Sequence, residues 1–162
     1  MSQMKQAGSD HTQYLTFMLG GEIFAIGILA IKEIIEYSGV TVVPMMPNCV
    51  KGVINLRGAV VPVMDLLARF NKGITEVGRR TCIVIVEIDT DGERQDIGVM
   101  VDAVNEVLEI PVEDIEPAPN FGTKIRADFI EGMGKVEGHF VILLNVSHVL
   151  STEEAKELID IS

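Results

Sequence analysis

The sequence predicts a mainly β protein built as two small five-stranded β-barrels packed together, with short helices that include a C-terminal one. Three observations predict it. Apolar runs rich in Val and Ile are punctuated by Gly, Pro and Asn, the pattern of strands joined by tight turns. The chain also repeats itself: Phe24-Ala25-Ile26 falls on Ile97-Gly98-Val99 at a shift of 73 residues (97 − 24), which carries Ile31–Glu36 onto Val104–Glu109 and Pro44 onto Pro117. After an insertion within Asn120–Asp128 the shift becomes 80 (130 − 50), placing Val50-Lys51-Gly52 on Ile130-Glu131-Gly132, Gly58 on Gly138, and Val63-Met64-Asp65 on Leu143-Leu144-Asn145. Finally, a small sheet with one apolar face must close or pair to hide its edges, so two copies imply two packed barrels.

In chain order, residues 1–13 form a polar tail without periodicity, MSQMKQAGSDHTQ, and the first module is expected over 14–72. Tyr14–Leu19 is a strand candidate and Gly20-Gly21-Glu22 a turn. Phe24–Ile35 reads as strand, short turn near Ile28–Ala30, and strand, because β-branched residues dominate and no N-cap precedes the run. Val40–Val43 continues the β pattern, and Pro44 and Pro47 mark a loop. Val50–Leu66 is a hairpin turning at Asn55-Leu56-Arg57-Gly58; Pro62 makes its second strand an edge or a bulge at that point. Met64–Phe70 suits a short helix, and 73–80 is a polar linker. The second module is expected over 81–147, opening on the strand Thr81–Asp89 and its turn at Asp89–Gly92. A C-terminal helix over 148–162 carries a capping-box pattern at Ser151-Thr152-Glu153-Glu154. Whether strands are exchanged between the modules stays open at this level.

Composition narrows the function. A net charge of −11 over 162 residues argues against nucleic acid or an anionic membrane surface, both of which need clustered Lys and Arg. No apolar run approaches the ~18 residues of a spanning helix, and the polar start lacks a secretory segment, so the expected address is the cytosol, with no membrane insertion. Cys49 and Cys82 are too few for a disulfide framework and read as small buried hydrophobes. Met45-Met46 between Pro44 and Pro47 is either an adhesive loop or core filling.

Catalysis finds no constellation. His11, His139 and His148 have no Ser, Cys or carboxylate at a motif spacing, so no catalytic residue is assigned. Asp89–Glu93 resembles a fragment of a calcium loop but lacks the distal bidentate Glu, and Gly132-Met133-Gly134 lacks dinucleotide-binding context. No cofactor or metal is expected. A five-stranded barrel that binds a ligand inside is a possible alternative, disfavoured because such barrels are filled by their own side chains. Where the copies differ, a partner can tell them apart: Arg57 corresponds to Glu137, whereas Glu33 matches Glu106. Arg57 either pairs with Glu33 to fix the hairpin tip or faces a partner.

These residues carry a resemblance. LGGEIFAIGILAIKEII, GVINLRGAVVPVMDL and IGVMVDAVNEVL followed by IEPAP resemble, in order from Tyr14 to Leu150, the CheW family of bacterial chemotaxis coupling proteins. The resemblance implies two SH3-like barrels without catalytic activity. It implies an adaptor that binds methyl-accepting chemoreceptors and the regulatory domain of a CheA-type histidine kinase, in arrays at the inner membrane. Carried over by position, Ile31, Glu33, Gly52, Arg57, Cys82 and Val104 would face the receptor, and Gly58 and Gly132 would hold the kinase-binding surfaces. The chain departs from the family pattern at Gly27, where many members carry an acidic residue. An adaptor of a related receptor–kinase pathway, controlling twitching or surface behaviour, is the alternative within the resemblance.

Overall fold

The computed structural model describes residues 13–117, apart from 48, 71 and 91, and residues 129–150. The N-terminal tail and the capping box at Ser151 therefore lie outside the described residues. Within them the first half of the chain forms β1 (Gln13–Leu19), β2 (Glu22–Gly27), a 3-10 turn at Ile28–Ala30, β3 (Ile31–Glu36), β4 (Val50–Leu56), β5 (Ala59–Asp65) and helix α1 (Leu66–Arg69). The second half forms β6 (Cys82–Thr90), β7 (Glu93–Val101), β8 (Ala103–Glu109), a 3-10 turn at Val112–Asp114, β9 (Ile115–Glu116), β10 (Ile130–Val136), β11 (His139–Leu144) and helix α2 (Val146–Leu150).

Turn chemistry sets the hairpins. Arg57 (φ 52) with Gly58 (φ 89) joins β4 to β5, and Glu137 (φ 50) with Gly138 (φ 82) joins β10 to β11. Both are two-residue turns with positive φ at each central position, whose twist matches that of the flanking strands. The predicted strand over Val40–Val43 is reduced to a single bridge, Thr41 to Val53. Gly39 (φ 108) and Met45 (φ 62) bend the chain out of extended geometry on either side of it. Pro62 pairs with Val53 on β4, and the parallel pairing of β5 with β7 starts at the next residue, Val63 with Gly98. The strand is therefore an edge up to its proline and interior beyond it, because proline has no N–H to give to a second neighbour.

The fold is mainly β, in two sheets. Their orders are β8-β1-β2-β11-β10-β9 and β3-β6-β7-β5-β4. Under the internal repeat β1–β2 corresponds to β6–β7, β3 to β8, β4 to β10 and β5 to β11, and this substitution turns the second order into the first five strands of the other sheet. Each sheet thus borrows the leading hairpin of the opposite copy. Registers agree as well: Val63 pairs with Gly98 where the equivalent Leu143 pairs with Ala25. The bulge between Val50 and Gly52 recurs between Ile130 and Gly132. The sheets therefore do not follow the expected boundary at 73–80; one takes residues from 13–27 and 103–144, the other from 31–65 and 82–101. The cause is connector length. Only Asp102 separates β7 from β8, so the chain cannot reverse to lie beside its own hairpin and runs on into the neighbouring sheet. That connector is tied in place, its N–H donating to the Met18 carbonyl (3.0 Å) and its carboxylate accepting from the Gly20 N–H (2.8 Å).

Between the sheets lies the main core, which takes Phe17 and Phe24 from one, Val84, Val86 and Val99 from the other, and Phe70 and Phe129 from connecting segments. The four phenylalanines form a chain, with ring centroids 6.2 Å apart for Phe17–Phe24, 5.8 Å for Phe24–Phe70 and 5.9 Å for Phe70–Phe129. Smaller cores sit on the other side of each sheet: Tyr14, Ala25, Ile110, Val141 and Leu143 in one, Val61, Val63, Ile83, Ile85 and Met100 in the other. The two helices meet across the repeat, where the Arg69 guanidinium donates from Nε to the Val149 carbonyl (3.0 Å) and stands 4.5 Å over the Phe129 ring.

Buried Asp65 closes the first copy. Its carboxylate caps α1 through the Leu67 N–H (3.1 Å) and accepts from both the Thr75 N–H (2.8 Å) and hydroxyl (2.7 Å). The repeat-equivalent Asn145 accepts from the His148 N–H (3.2 Å) at the start of α2. Asp65→Ala should lower stability by about 2–4 kcal/mol, since it strips a helix cap and leaves two buried Thr75 groups unanswered. Asp65→Asn, which keeps the size and one acceptor oxygen, should lose less. Urea unfolding of both variants checks the order; equal losses would mean that the carboxylate's charge carries the whole effect and that the retained shape and acceptor oxygen contribute nothing.

Candidate functional site

The residues singled out in the sequence fall into three groups. Ile31, Cys82 and Val104 are partly buried and pack against the core between the sheets. Ile31 and Val104, equivalent in the repeat, begin the edge strands β3 and β8 of different sheets, where they pair with Val86 and Phe17. The reciprocal exchange of hairpins is what brings these two positions to one shared core. Cys82 opens β6 between Glu36 and Val101, with its thiol 3.4 Å from the Arg80 carbonyl. It is a half-buried thiol rather than a fully buried one, whereas Cys49 is buried.

A charged pair forms the second group. Arg57 reaches from the β4–β5 tip to Glu33 on β3 in a two-point ion pair, one arm being Nη1 to Oε1 at 3.5 Å. The hydrogen bond and charge of Glu33 raise the Arg57 pKa above its ordinary value. Beside it Lys32 pairs with Asp96 at 3.0 Å, and that carboxylate raises the lysine's pKa. Of the two readings the sequence left open for Arg57, the ion pair is the one present, and the tip remains exposed around it. In the other copy Glu137 occupies the place of Arg57, and the Glu106 backbone is held by the Thr16 hydroxyl, which donates to its carbonyl (2.8 Å) and accepts from its N–H (3.2 Å).

Glycines make up the third group. Gly58 is exposed at the tip, where its N–H donates to the Asn55 side chain (2.9 Å). Gly52 and Gly132 are buried. A Cβ on Gly52 would meet the Thr41 carbonyl oxygen at 2.4 Å, and one on Gly132 would meet Ile115 at 2.8 Å and the Glu116 carbonyl oxygen at 3.0 Å. Each lets a neighbouring strand approach its bulge.

Sequence reasoning missed an open groove of about 510 Å³ at one end of the first sheet, with Ile26, Gly27, Leu29 and Ala30 on one side and Leu144–Ser147 on the other. Tyr14 and Glu131 stand at its polar margin. Burial and the nearby Glu131 carboxylate raise the Tyr14 pKa, so its phenol stays protonated throughout the neutral range. The one sequence signal near it is Gly27, where the chain departs from the family pattern; in the structure Leu29 beside it is 69% exposed. The groove is not the closed cavity that a ligand-binding barrel requires, and an interior void between Ile26, Leu66, Val99 and Leu144 measures only about 10 Å³. In the Met45-Met46 pair, Met45 is fully exposed. No group of three His, Cys, Asp or Glu side chains among the described residues is placed to hold a metal, and no described helix is long and apolar enough to cross a membrane.

The same order of elements is found in known proteins. The model of the CheW-like domain family matches residues 13–154. The chain belongs to the CheW family. Family membership makes it a chemotaxis scaffold without catalytic activity. The CheW chemotaxis protein of Klebsiella aerogenes is 34% identical over 142 residues, 88% of this chain and 83% of that protein. Protein FrzA of Myxococcus xanthus is 30% identical over 142 residues, covering 86% of each. The crystal structure of the scaffolding protein TtCheW from Thermoanaerobacter tengcongensis superposes with a TM-score of 0.78 at 31% identity, over 88% of this chain and 90% of that one.

Proposed function

We infer that this chain is an adaptor that couples the cytoplasmic tips of chemoreceptors to the regulatory domain of a CheA-type histidine kinase, within arrays at the inner membrane. One observation carries the reading: the exchange of hairpins sets Ile31, Val104 and Cys82 along a single core between the sheets, with the Arg57–Glu33 pair exposed on β3 nearby. A receptor tip is a helical hairpin, and an apolar strip flanked by a fixed charge pair suits an amphipathic helix, which docks through apolar anchors at helical spacing and is oriented by polar ones. Nothing in the described residues supplies chemistry, so signal passes by assembly, through contacts of the modest area typical of reversible signalling complexes.

Arg57→Glu is expected to weaken receptor binding about tenfold or more while the melting temperature stays close to that of the parent, because the pair is exposed and screened by solvent. Co-sedimentation with a receptor-tip fragment and, separately, with the kinase regulatory domain checks it. The double variant Glu33→Arg/Arg57→Glu restores the pair in reverse. Recovery of binding would assign Arg57 a positioning role, and continued loss a direct contact. A variant that unfolds at lower temperature and loses both partners alike would remove Arg57 from the receptor surface.

The likeness to FrzA supports a second reading, an adaptor of a related receptor–kinase pathway. The two readings share the surfaces and differ in the partner. Deleting the gene and scoring swimming chemotaxis against surface motility separates them.

A further inference from the structure

We propose that Lys32 and Asp96 are positioning residues for the receptor-facing surface: their ion pair holds a bulge in β3 that turns Glu33 toward Arg57. The proposal rests on the adaptor reading and names what keeps its charged element in place.

Where β3 pairs with β6, Ile31 stands opposite Val86 and Glu33 opposite the next residue, Ile85, so Lys32 is an extra residue in the strand. Residues directly opposed across a ladder share a face of the sheet. Val86 belongs to the core between the sheets and Ile85 to the smaller core on the other side. In an unbroken strand Ile31 and Glu33, two positions apart, would face the same way. The bulge instead sends Ile31 to the shared core and Glu33 to the opposite face. There Glu33 meets Arg57 from the β4–β5 tip, and the pair ties together the two edge strands of this sheet, β3 and β4. Removing the extra residue from the register would turn Glu33 away from Arg57.

The second copy carries the same bulge, held differently. From Val107 to Val104 β8 advances three residues while β1 advances two, from Leu15 to Phe17. The repeat sets Asn105 and Glu106 in the places of Lys32 and Glu33, and the pairing sets buried Thr16 in the place of Ile85. The Thr16 hydroxyl clasps the bulge through both the carbonyl and the N–H of Glu106. Ile85 has no hydroxyl, so in the first copy side chains on the surface take over this task. The Lys32 ammonium reaches Asp96 on β7 at 3.0 Å, across the intervening strand β6. Asp96 stands directly opposite Glu87, an unfavourable pair of like charges that Lys32, with Arg94 at 3.9 Å from Glu87, offsets. Asp96 first, and Glu87 after it, raise the lysine's pKa. The two consecutive bulge residues are thus anchored to different elements, Lys32 to β7 and Glu33 to the β4–β5 tip.

The test uses the full chain and the variants Lys32→Met, Asp96→Asn and Lys32→Arg. Affinity for a receptor-tip fragment is measured by calorimetry, and the Arg57 side-chain N–H signal is followed by nuclear magnetic resonance in the chain alone. All three variants should keep the parent melting temperature to within a few degrees, since the pair is exposed. Lys32→Met and Asp96→Asn should each lower receptor affinity about threefold or more, and in both the Arg57 signal should shift and exchange faster with solvent. Lys32→Arg, which keeps the charge and the reach, should hold both readouts near the parent. The sign is informative, because Lys32 and Arg57 repel each other and by charge alone the loss of Lys32 would tighten Arg57 on Glu33. In an Arg57→Ala background Lys32→Met should have little further effect on affinity. An Arg57 signal or a receptor affinity that stays at the parent value in Lys32→Met and Asp96→Asn would overturn the proposal. So would a loss in Lys32→Met that persists without Arg57, or that Asp96→Asn does not share, since Lys32 would then touch the receptor itself. If the parent chain binds no receptor fragment, it is the adaptor reading that fails, and the Arg57 signal still decides whether the Lys32–Asp96 pair holds the bulge.

Discussion

Gly52→Ala is expected to lower stability by about 2–4 kcal/mol, a fall in melting temperature of roughly 5–15 °C. The added methyl would stand 2.4 Å from the Thr41 carbonyl oxygen and 3.0 Å from both its carbon and the Val40 side chain, so the 40–42 segment must move away from β4. That movement breaks the two bonds of the Thr41 bridge, Thr41 N–H to the Val53 carbonyl (2.8 Å) and Val53 N–H to the Thr41 carbonyl (2.9 Å). Each contributes about 1 kcal/mol and the strain adds to them. The informative comparison is Gly58→Ala. That glycine also has positive φ but nothing within 4 Å of its Cβ, so only the conformational term of about 1 kcal/mol applies. Thermal unfolding followed by circular dichroism ranks the two, and equal losses would show that the close approach at Gly52 is not a constraint. Receptor affinity per folded Gly52→Ala molecule should stay within about threefold of the parent, since a buried glycine touches no partner.

Phe24→Ala is expected to cost about 3–5 kcal/mol, lowering the melting temperature by roughly 10–15 °C. Phe24 is 1% exposed and stands mid-chain in the aromatic stack, with Phe17 at 6.2 Å on one side and Phe70 at 5.8 Å on the other. Removing it leaves a cavity where the two sheets meet, and the ladders on either side prevent collapse. Because Ile31 and Val104 lean on the same core, receptor binding should weaken as well, beyond what the unfolded fraction explains. Phe140→Ala is the control: Phe140 is 52% exposed, so its loss should change stability by only about 0.5 kcal/mol. A Phe24→Ala protein as stable as that control would mean the two sheets are not held by this core.

Much of the fold is legible in the residues because the physical causes are local. Arg57-Gly58 and Glu137-Gly138 announce their hairpins through turn chemistry. The 3-10 turn at Ile28–Ala30 falls where β-branched runs flank a short gap. The strand expected at Val40–Val43 shrank to one bridge because flanking left-handed residues, Met45 among them, are invisible to apolar periodicity. Of the site, the Arg57–Glu33 pair is one of the two readings the sequence offers, because the repeat aligns Glu33 with Glu106 while Arg57 falls on Glu137. The groove at Gly27 was not foreseen, since its two walls are more than 100 positions apart (131 − 27) and no local pattern brings them together.

By itself the amino-acid order determined two copies of one β-module, their turns, their apolar faces and the change from Arg57 to Glu137 between their tips, all consequences of side-chain type and spacing within a few residues. Tertiary structure alone decided which copy each hairpin joins. The pairing edges are equivalent, Ala25 against Leu143 and Gly98 against Val63, so local pattern cannot choose between them. The choice comes from a one-residue connector at Asp102, too short to reverse the chain, and the shared core between the sheets follows from it.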